Sequence, residues 1–326
     1  MPESEPHVRL DATGVCGPCL AHARDEAVGK DRGALESDFL ALVAKHRGKG
    51  KYDCLVMCSG GKDSTSSLYY MKRRYRLNPL AFTFDHGFET EDAMENVRNA
   101  VKALGTDFLM FRSDYMRDMF SRVLKTGSKA VICHLCSIWY MRLTYDIAAR
   151  YDIPLIIAGW TKGQSLRQPV MSKCACDISA PEFIEMGKAT KRFLQEHVRG
   201  DPKYRDFPES MEEVLARAKK RHSATVLSPH WFLPFEREEY VETIRKELGW
   251  KYPRLSYPGR STNCYLNFIS AHESMRHFGY THYHVEMSKL VRDGVMTREE
   301  ALKDLEMSFD KEFLNSIAKK LDYRFE

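Results

Sequence analysis

The sequence predicts an α/β protein built on a parallel sheet. Residues 52–58 form a short apolar run, long enough for a buried strand and too short for a helix. They lead through Gly60 and Gly61 into Leu68, Tyr69, Met71 and Tyr75, which are spaced as on a helix. The alternation then repeats, with a strand over 78–87, helical periodicity over about 91–104 and an apolar run over 107–111. A βαβαβ order implies parallel strands joined by right-handed crossovers. Ligands of such sheets gather at the carboxyl ends of the strands, where residues 59–64, 85–87 and 112–113 fall.

Composition narrows the class. The chain has 326 residues, 43% hydrophobic and 29% charged, enough for a large core and one to three domains. No apolar segment approaches the ~18 residues that span a bilayer. The first twenty residues lack a signal core, so a cytoplasmic protein without a membrane partner is expected. A net charge of +5 suits phosphorylated or other acidic ligands without demanding nucleic acid. Nine cysteines without an export signal argue for reduced thiols.

Residues 1–50 are expected to form a small cysteine-containing segment. It holds a polar tail, Cys16-Gly17-Pro18-Cys19 and a charged helix over about 34–49. One C-x-x-C pair offers two ligands where a structural zinc wants four. Half of a zinc knuckle and a turn with two free thiols both remain open.

Residues 51–265 are expected to form the nucleotide-binding domain. Cys54 and Cys58 alternate in the first strand and read as small core residues. A strand turning through two glycines into a helix aims free N–H groups and the positive helix end at one spot. Ser59, Gly60, Gly61, Lys62, Asp63 and Ser64 therefore form a phosphate cradle, with Asp63 or Ser64 able to cap the helix. It is not a Walker A loop, whose first glycine would replace Val56. Asp85, at a strand end, suits adenosine or Mg²⁺. A helix over 137–150 and a strand over 153–158 lead to a second glycine-bearing loop, in which Gly159 and Lys162 can close over an α-phosphate.

From about 166 to 228 an insertion over the site is expected, with a charged helix near 211–221. Its basic run, Lys219, Lys220, Arg221 and His222, reads as a solvated helix face. A strand at 231–235 and a helix over 237–248 should return the chain to the core. Residues 266–326 should form a helical C-terminal region, with a capping box beginning at Thr297. His282 and His284, two apart, share a face on a strand but not on a helix. They are either an acid–base or ligand pair, or exposed or core-satisfied histidines.

Cys133 and Cys136 stand at the first turn of the 137–150 helix, where sulfurs three apart share a face and the helix end favours thiolates. If Cys264 folds back over the sheet edge, three thiolates converge. Three cysteines suit a [4Fe–4S] cluster with one open iron better than a closed zinc site. Cys174, Cys176 or His134 could complete a zinc set, and metal-free redox or nucleophile roles stay open.

The run Ser59–Gly60–Gly61–Lys62–Asp63–Ser64 resembles the signature of the PP-loop ATP pyrophosphatases, which share an adenine nucleotide alpha hydrolase-like, Rossmann-like core. Within that superfamily most of the chain resembles the N-acetyl sugar amidotransferases that act on surface-polysaccharide sugars. The likeness includes the early cysteine pair, Lys51-Tyr52-Asp53, Leu77-Asn78-Pro79-Leu80-Ala81, Cys133 and Cys136, Cys264, Gly279 and the stretch from Met296 to Ala301. The spacing of Ser59, Cys133, Cys136 and Cys264 is also similar to the tRNA 2-thiolation branch.

The resemblance implies ATP and Mg²⁺ as cofactors, with Lys62, Asp63, Cys133, Cys136 and Cys264 as catalytic residues. A substrate carbonyl would be adenylated with release of pyrophosphate, and ammonia would displace AMP. The alternatives are sulfur transfer to a nucleobase or small molecule through a [4Fe–4S] cluster, and a non-catalytic ATP-binding regulator. The implied partners are a small sugar- or nucleotide-type substrate and a separate glutaminase or sulfur donor. tRNA is the less favoured acceptor, and a homodimer is compatible with the sequence.

Overall fold

Five strands form one parallel sheet in the order β3-β2-β1-β4-β7. They are β1 (Cys54–Met57), β2 (Pro79–Asp85), β3 (Asp107–Arg112), β4 (Leu155–Ala158) and β7 (Thr225–Leu227). The sheet belongs to a computed structural model that describes residues 1–4, 8–24, 32–166, 173–174, 181–222, 224–259 and 264–326. The expected α/β class is borne out, and the register sets Val56 beside Ala81 and Ile157. The chain runs outward through β2 and β3, then crosses back to place β4 on the other side of β1. The crevice above β1 and β4 is therefore the topological switch point, where this architecture binds ligands.

Helices cover both faces. In chain order they are α1 (Gly17–Arg24), α2 (Arg32–His46), α3 (Lys62–Arg73), α4 (Glu91–Leu104), α5 (Arg117–Lys125), α6 (Ile132–Arg150), α7 (Pro181–His197), α8 (Met211–Arg221), α9 (Arg237–Leu248), α10 (Leu266–Phe278), α11 (His282–Arg292), α12 (Arg298–Asp304) and α13 (Lys311–Ala318). Alternation along β1 sorts the two cores. Cys54, Val56 and Cys58 pack with Leu68, Val97 and Ile244 of α3, α4 and α9. Leu55 and Met57 face Phe120, Leu135, Met141 and the helices of the C-terminal region. A sheet buried on both faces needs apolar residues at every position, and β1 and β4 read that way. The outermost strand differs: β3 is an edge, and its Met110 and Phe111 are exposed.

Two local expectations are corrected. Helix α3 starts at Lys62, and its cap position is Gly61, with no side-chain cap from Asp63 or Ser64. Those two side chains are engaged elsewhere, as described below. The strand expected at 231–235 is absent: Pro229–Trp231 forms a 3₁₀ turn, and the fifth strand is β7, within the stretch read as an insertion. Pro229 and Pro234 interrupt a ladder that the apolar pattern alone suggested. His282 and His284 lie on helix α11, in the region expected to be helical, where residues two apart do not share a face, and His284 closes a capping box with Thr281.

Other expectations hold. Helices α4, α8 and α9 fall where periodicity placed them, and Thr297 with Glu300 forms the expected capping box. Lys219, Lys220 and Arg221 are exposed. The N-terminal segment packs Val8 and Cys16 against Val131, Phe278, Tyr280 and Val285. A hairpin of β5 (Ser165–Leu166) and β6 (Lys173–Cys174) follows the β4 loop. No helix among the described residues is long and apolar enough to cross a membrane.

Candidate functional site

The loop after β1 is held by groups far apart in sequence. Gly60 has φ +82°, a conformation that favours glycine, and a Cβ there would collide with the Ala93 backbone carbonyl of α4. Its own carbonyl accepts hydrogen bonds from Trp250 Nε1 at 2.9 Å and Asn96 Nδ2 at 3.3 Å. Gly159, at the end of β4, presses so closely on Ser64 that any Cβ would overlap its backbone. Both loops at the switch point are thus locked together with no side chain between them. Ser59 N–H donates to Ser64 Oγ at 3.2 Å, and the two hydroxyl oxygens lie 3.1 Å apart.

Lys62 and Asp63 form a buried pair at 2.7 Å. Tyr240 OH donates to the other Asp63 oxygen at 2.6 Å, and His230 Nε2 meets the Asp63 carbonyl at 3.1 Å. Burial opposes ionisation of Asp63, but the Lys62 ammonium, His230 and these hydrogen bonds bring its pKa down to about 2. The loop over 159–165 rests on Glu286 of α11, which accepts from Thr161 Oγ1 at 2.8 Å and Gln164 Nε2 at 3.0 Å. Burial raises the Glu286 pKa against those donors and the Lys62 charge. Lys162 lies on this loop, and its carbonyl accepts from Lys289 Nζ at 2.5 Å.

A second polar group forms where β2 ends. Asp85 Oδ1 accepts from Gly87 N–H at 2.8 Å, and its other oxygen is 3.6 Å from Arg112 Nε. Beyond it, His86 Nε2 lies 3.1 Å from Glu89 Oε1 and 3.7 Å from Cys264 Sγ. Burial lowers His86 to about 4, and burial with the neighbouring Asp85 charge raises Glu89 well above the usual carboxyl range. The chain returns Cys264 here through a bridge pairing it with Glu89, and Tyr265 N–H donates to the Phe88 carbonyl at 2.9 Å.

Cys133 and Cys136 occupy the first turn of α6, as expected, and lie close enough to Glu89 for its charge to act on both. Cys264 feels Glu89, Cys136 and Cys133. The three thiols are therefore gathered around one carboxylate. The expected thiolate character is corrected: burial and Glu89 push Cys133 up to about 11 and raise Cys136 and Cys264, outweighing the helix end. Cys133 Sγ donates to Asn267 Oδ1 at 3.5 Å.

Among the described residues, one set of three ligand-type side chains has donor atoms all within 4.8 Å: His86, Glu89 and Cys264. Cys16 and Cys19 lie 3.4 Å apart, without a third donor at that range among the described residues. His134 packs toward His282 and lines a cleft with Ser137 and Thr190. Cys176 and the Cys174 side chain lie outside the described residues. Sequence reasoning passed over Glu89, Glu286, Tyr240 and His230. Only Glu89 carried a local signal, the His86-x-x-Glu89 spacing; the others reach the site through folding alone.

Residues 262–326 match the family described as LPS biosynthesis protein WbpG-like, C-terminal domain. Over that stretch the match bears out the resemblance to surface-polysaccharide enzymes read from the sequence. An uncharacterized protein of Methanocaldococcus jannaschii is 25% identical over 257 residues, covering 79% of this chain and 73% of its own. Two solved structures are looser likenesses. NMN synthetase from Francisella tularensis has a TM-score of 0.40 at 12% identity, covering 90% of this chain and 98% of its own. The U34-tRNA thiolase NcsA from Methanococcus maripaludis, solved with its [4Fe-4S] cluster, scores 0.36 at 13% identity, covering 90% and 80%.

Proposed function

We propose, from the match of residues 262–326 to a lipopolysaccharide-biosynthesis family and the loop at the switch point, that the chain is an ATP-dependent amidotransferase. One observation carries the reading: Gly159 sets the β4 loop directly on the Ser64 backbone and Gly60 sets the β1 loop on the start of α4, beside the buried Lys62 ammonium. That arrangement suits a polyphosphate, which needs N–H donors, a helix start and a cation.

In this reading residues 59–64 hold the β- and γ-phosphates, and Lys62 with Mg²⁺ offsets the charge of departing pyrophosphate. Asp63 positions Lys62. Asp85 serves adenosine or the metal, and Gly159 and Lys162 border the α-phosphate. A carbonyl oxygen of an acetamido sugar attacks the α-phosphorus, and the bond to the β-phosphate oxygen breaks. Ammonia from a separate glutaminase then adds to the activated carbon. AMP leaves with the former carbonyl oxygen, a proton is lost, and an amidine remains. Positioning and fixed charges supply the rate enhancement, as is usual for transfer at phosphorus.

A rival reading, sulfur transfer through a [4Fe–4S] cluster, draws on the gathering of Cys133, Cys136 and Cys264 around Glu89. Three thiols near one another suit a cluster held by three thiolates with one iron open. The largely buried Glu89 carboxyl among them does not, because it adds negative charge beside an anionic centre. The test is an acceptor sugar whose acetamido oxygen is heavy-isotope labelled, given ATP and ammonium. Amidotransfer predicts the heavy oxygen in AMP and an acceptor in which oxygen is replaced by NH. A product containing sulfur, formed only with iron-loaded protein, would favour the rival.

A further inference from the structure

The geometry points to a mononuclear divalent-cation site of the zinc class, formed by His86 Nε2, a Glu89 carboxylate oxygen and Cys264 Sγ, with a fourth position left to water or substrate. It is separate from the phosphate loop and stands whether or not the protein uses ATP.

Distances give the first support. Zinc holds nitrogen and oxygen at about 2.0 Å and sulfur at about 2.3 Å. Tetrahedral geometry then sets N and O about 3.3 Å apart, and N and S about 3.5 Å apart. The pairs here stand at 3.1 Å for His86 and Glu89, and 3.7 Å for His86 and Cys264. Hydrogen bonds account for each distance taken singly; what an ion adds is a reason for all three donor atoms to lie within 4.8 Å of one another.

Burial gives the second. The Glu89 side chain is 11% exposed, and among the described residues its one ion-pair partner is His86, itself 4% exposed. A carboxyl in such a place is costly unless it meets a cation. An ion supplies the missing charge for Glu89 and Cys264 together. Leu266 N–H already points at the sulfur at 3.3 Å, a contact that suits a thiolate.

Construction gives the third. The bridge between Glu89 and Cys264 and the Tyr265-to-Phe88 hydrogen bond clamp the two ligand-bearing segments together, 175 positions apart in the chain. Three ligands with nitrogen, oxygen and sulfur donors and an open fourth position are the pattern of a reactive zinc, which takes a water or a carbonyl oxygen. Cys133 and Cys136 flank the site and are not needed to hold the ion.

Cobalt(II) tests this directly, using the whole chain stripped of metal. The expected result is one cobalt per chain, with the strong visible bands of tetrahedral cobalt and a sulfur-to-cobalt charge-transfer band. C264S abolishes the charge-transfer band. Altering groups behind a ligand costs 10–100-fold in affinity, so loss of a ligand in E89Q or H86N should exceed about 100-fold. The paired C133A and C136A changes leave cobalt bound. Near-isosteric E89Q and circular dichroism separate ligand loss from misfolding. Failure to bind cobalt in the wild type would overturn the assignment. So would bound iron and sulfide that depend on Cys133 and Cys136 and are indifferent to E89Q.

Discussion

Asp63 and Glu89 are both largely buried carboxyl groups just beyond the carboxyl ends of neighbouring strands, yet their surroundings are opposite. Asp63 has a cation at 2.7 Å, a tyrosine hydroxyl at 2.6 Å and a pKa brought down to about 2. Glu89 has a neutral histidine, three nearby thiols and a raised pKa. The first pocket is electrostatically complete within the protein. The second becomes complete only when a cation enters. A finished pocket positions its lysine for an incoming anion; an unfinished one is itself a receptor.

The strongest way to break this contrast is to disturb the backbone beneath the finished pocket. Gly60→Ala, which combines a left-handed φ with a clash on Ala93, should destabilise the protein by about 2–5 kcal/mol and abolish pyrophosphate release. Gly105→Ala, with φ +56° and open space, should cost only about 1–2 kcal/mol in the same denaturant titrations. Equal losses would mean that the close approach of α4 to the loop is not what holds it.

Removing charge should act in opposite directions in the two pockets. Asp63→Asn leaves the buried Lys62 ammonium unmatched and should cost about 3–5 kcal/mol. Glu89→Gln in metal-free protein should be neutral or stabilising by up to about 2 kcal/mol, because it removes a carboxyl with no cation. Urea midpoints for the two variants decide the matter, and a shared sign would erase the distinction.

The pH dependence sharpens the Asp63 half. Its folded pKa lies below the ordinary 3.8, so its contribution is present above that value and lost as pH falls toward about 2. The shift corresponds to roughly 2 kcal/mol. Wild type should lose this much more stability than Asp63→Asn between pH 5 and pH 2, measured as the difference in urea midpoints. The smallest effect is expected at Glu286→Gln. It keeps one hydrogen bond to the 159–165 loop and should cost about 1 kcal/mol, while raising the KM for ATP more than it lowers kcat.

The two pockets also differ in how much of each could be read from the chain. The phosphate loop is contiguous, so the strand, the glycine pair and the helix start appear together between residues 54 and 73. What escaped there was long-range: Tyr240, His230 and Glu286 arrive from other elements, with no local pattern marking them. The cap was misread because Ser64 serves the Ser59 amide instead of the helix. At the second pocket the sequence displayed Cys133, Cys136 and Cys264, while Glu89 was marked only by its spacing from His86, which ties it to the histidine and not to the thiols. It also placed the thiols at a helix end without revealing that burial outweighs the helix field. The fifth strand was missed because β7 is three residues long, too short to show a period.

The central claim is that ATP bound beside Gly60 and Gly159 is cut between its α- and β-phosphates. The most direct measurement uses ATP radiolabelled at the α-phosphate, incubated with the protein, Mg²⁺, ammonium and an N-acetylamino sugar. The account predicts that the label leaves as AMP, with one pyrophosphate released per AMP, and that Lys62→Ala lowers this rate by about 100-fold or more. Label recovered as ADP, or AMP formed equally well by Lys62→Ala, would contradict it.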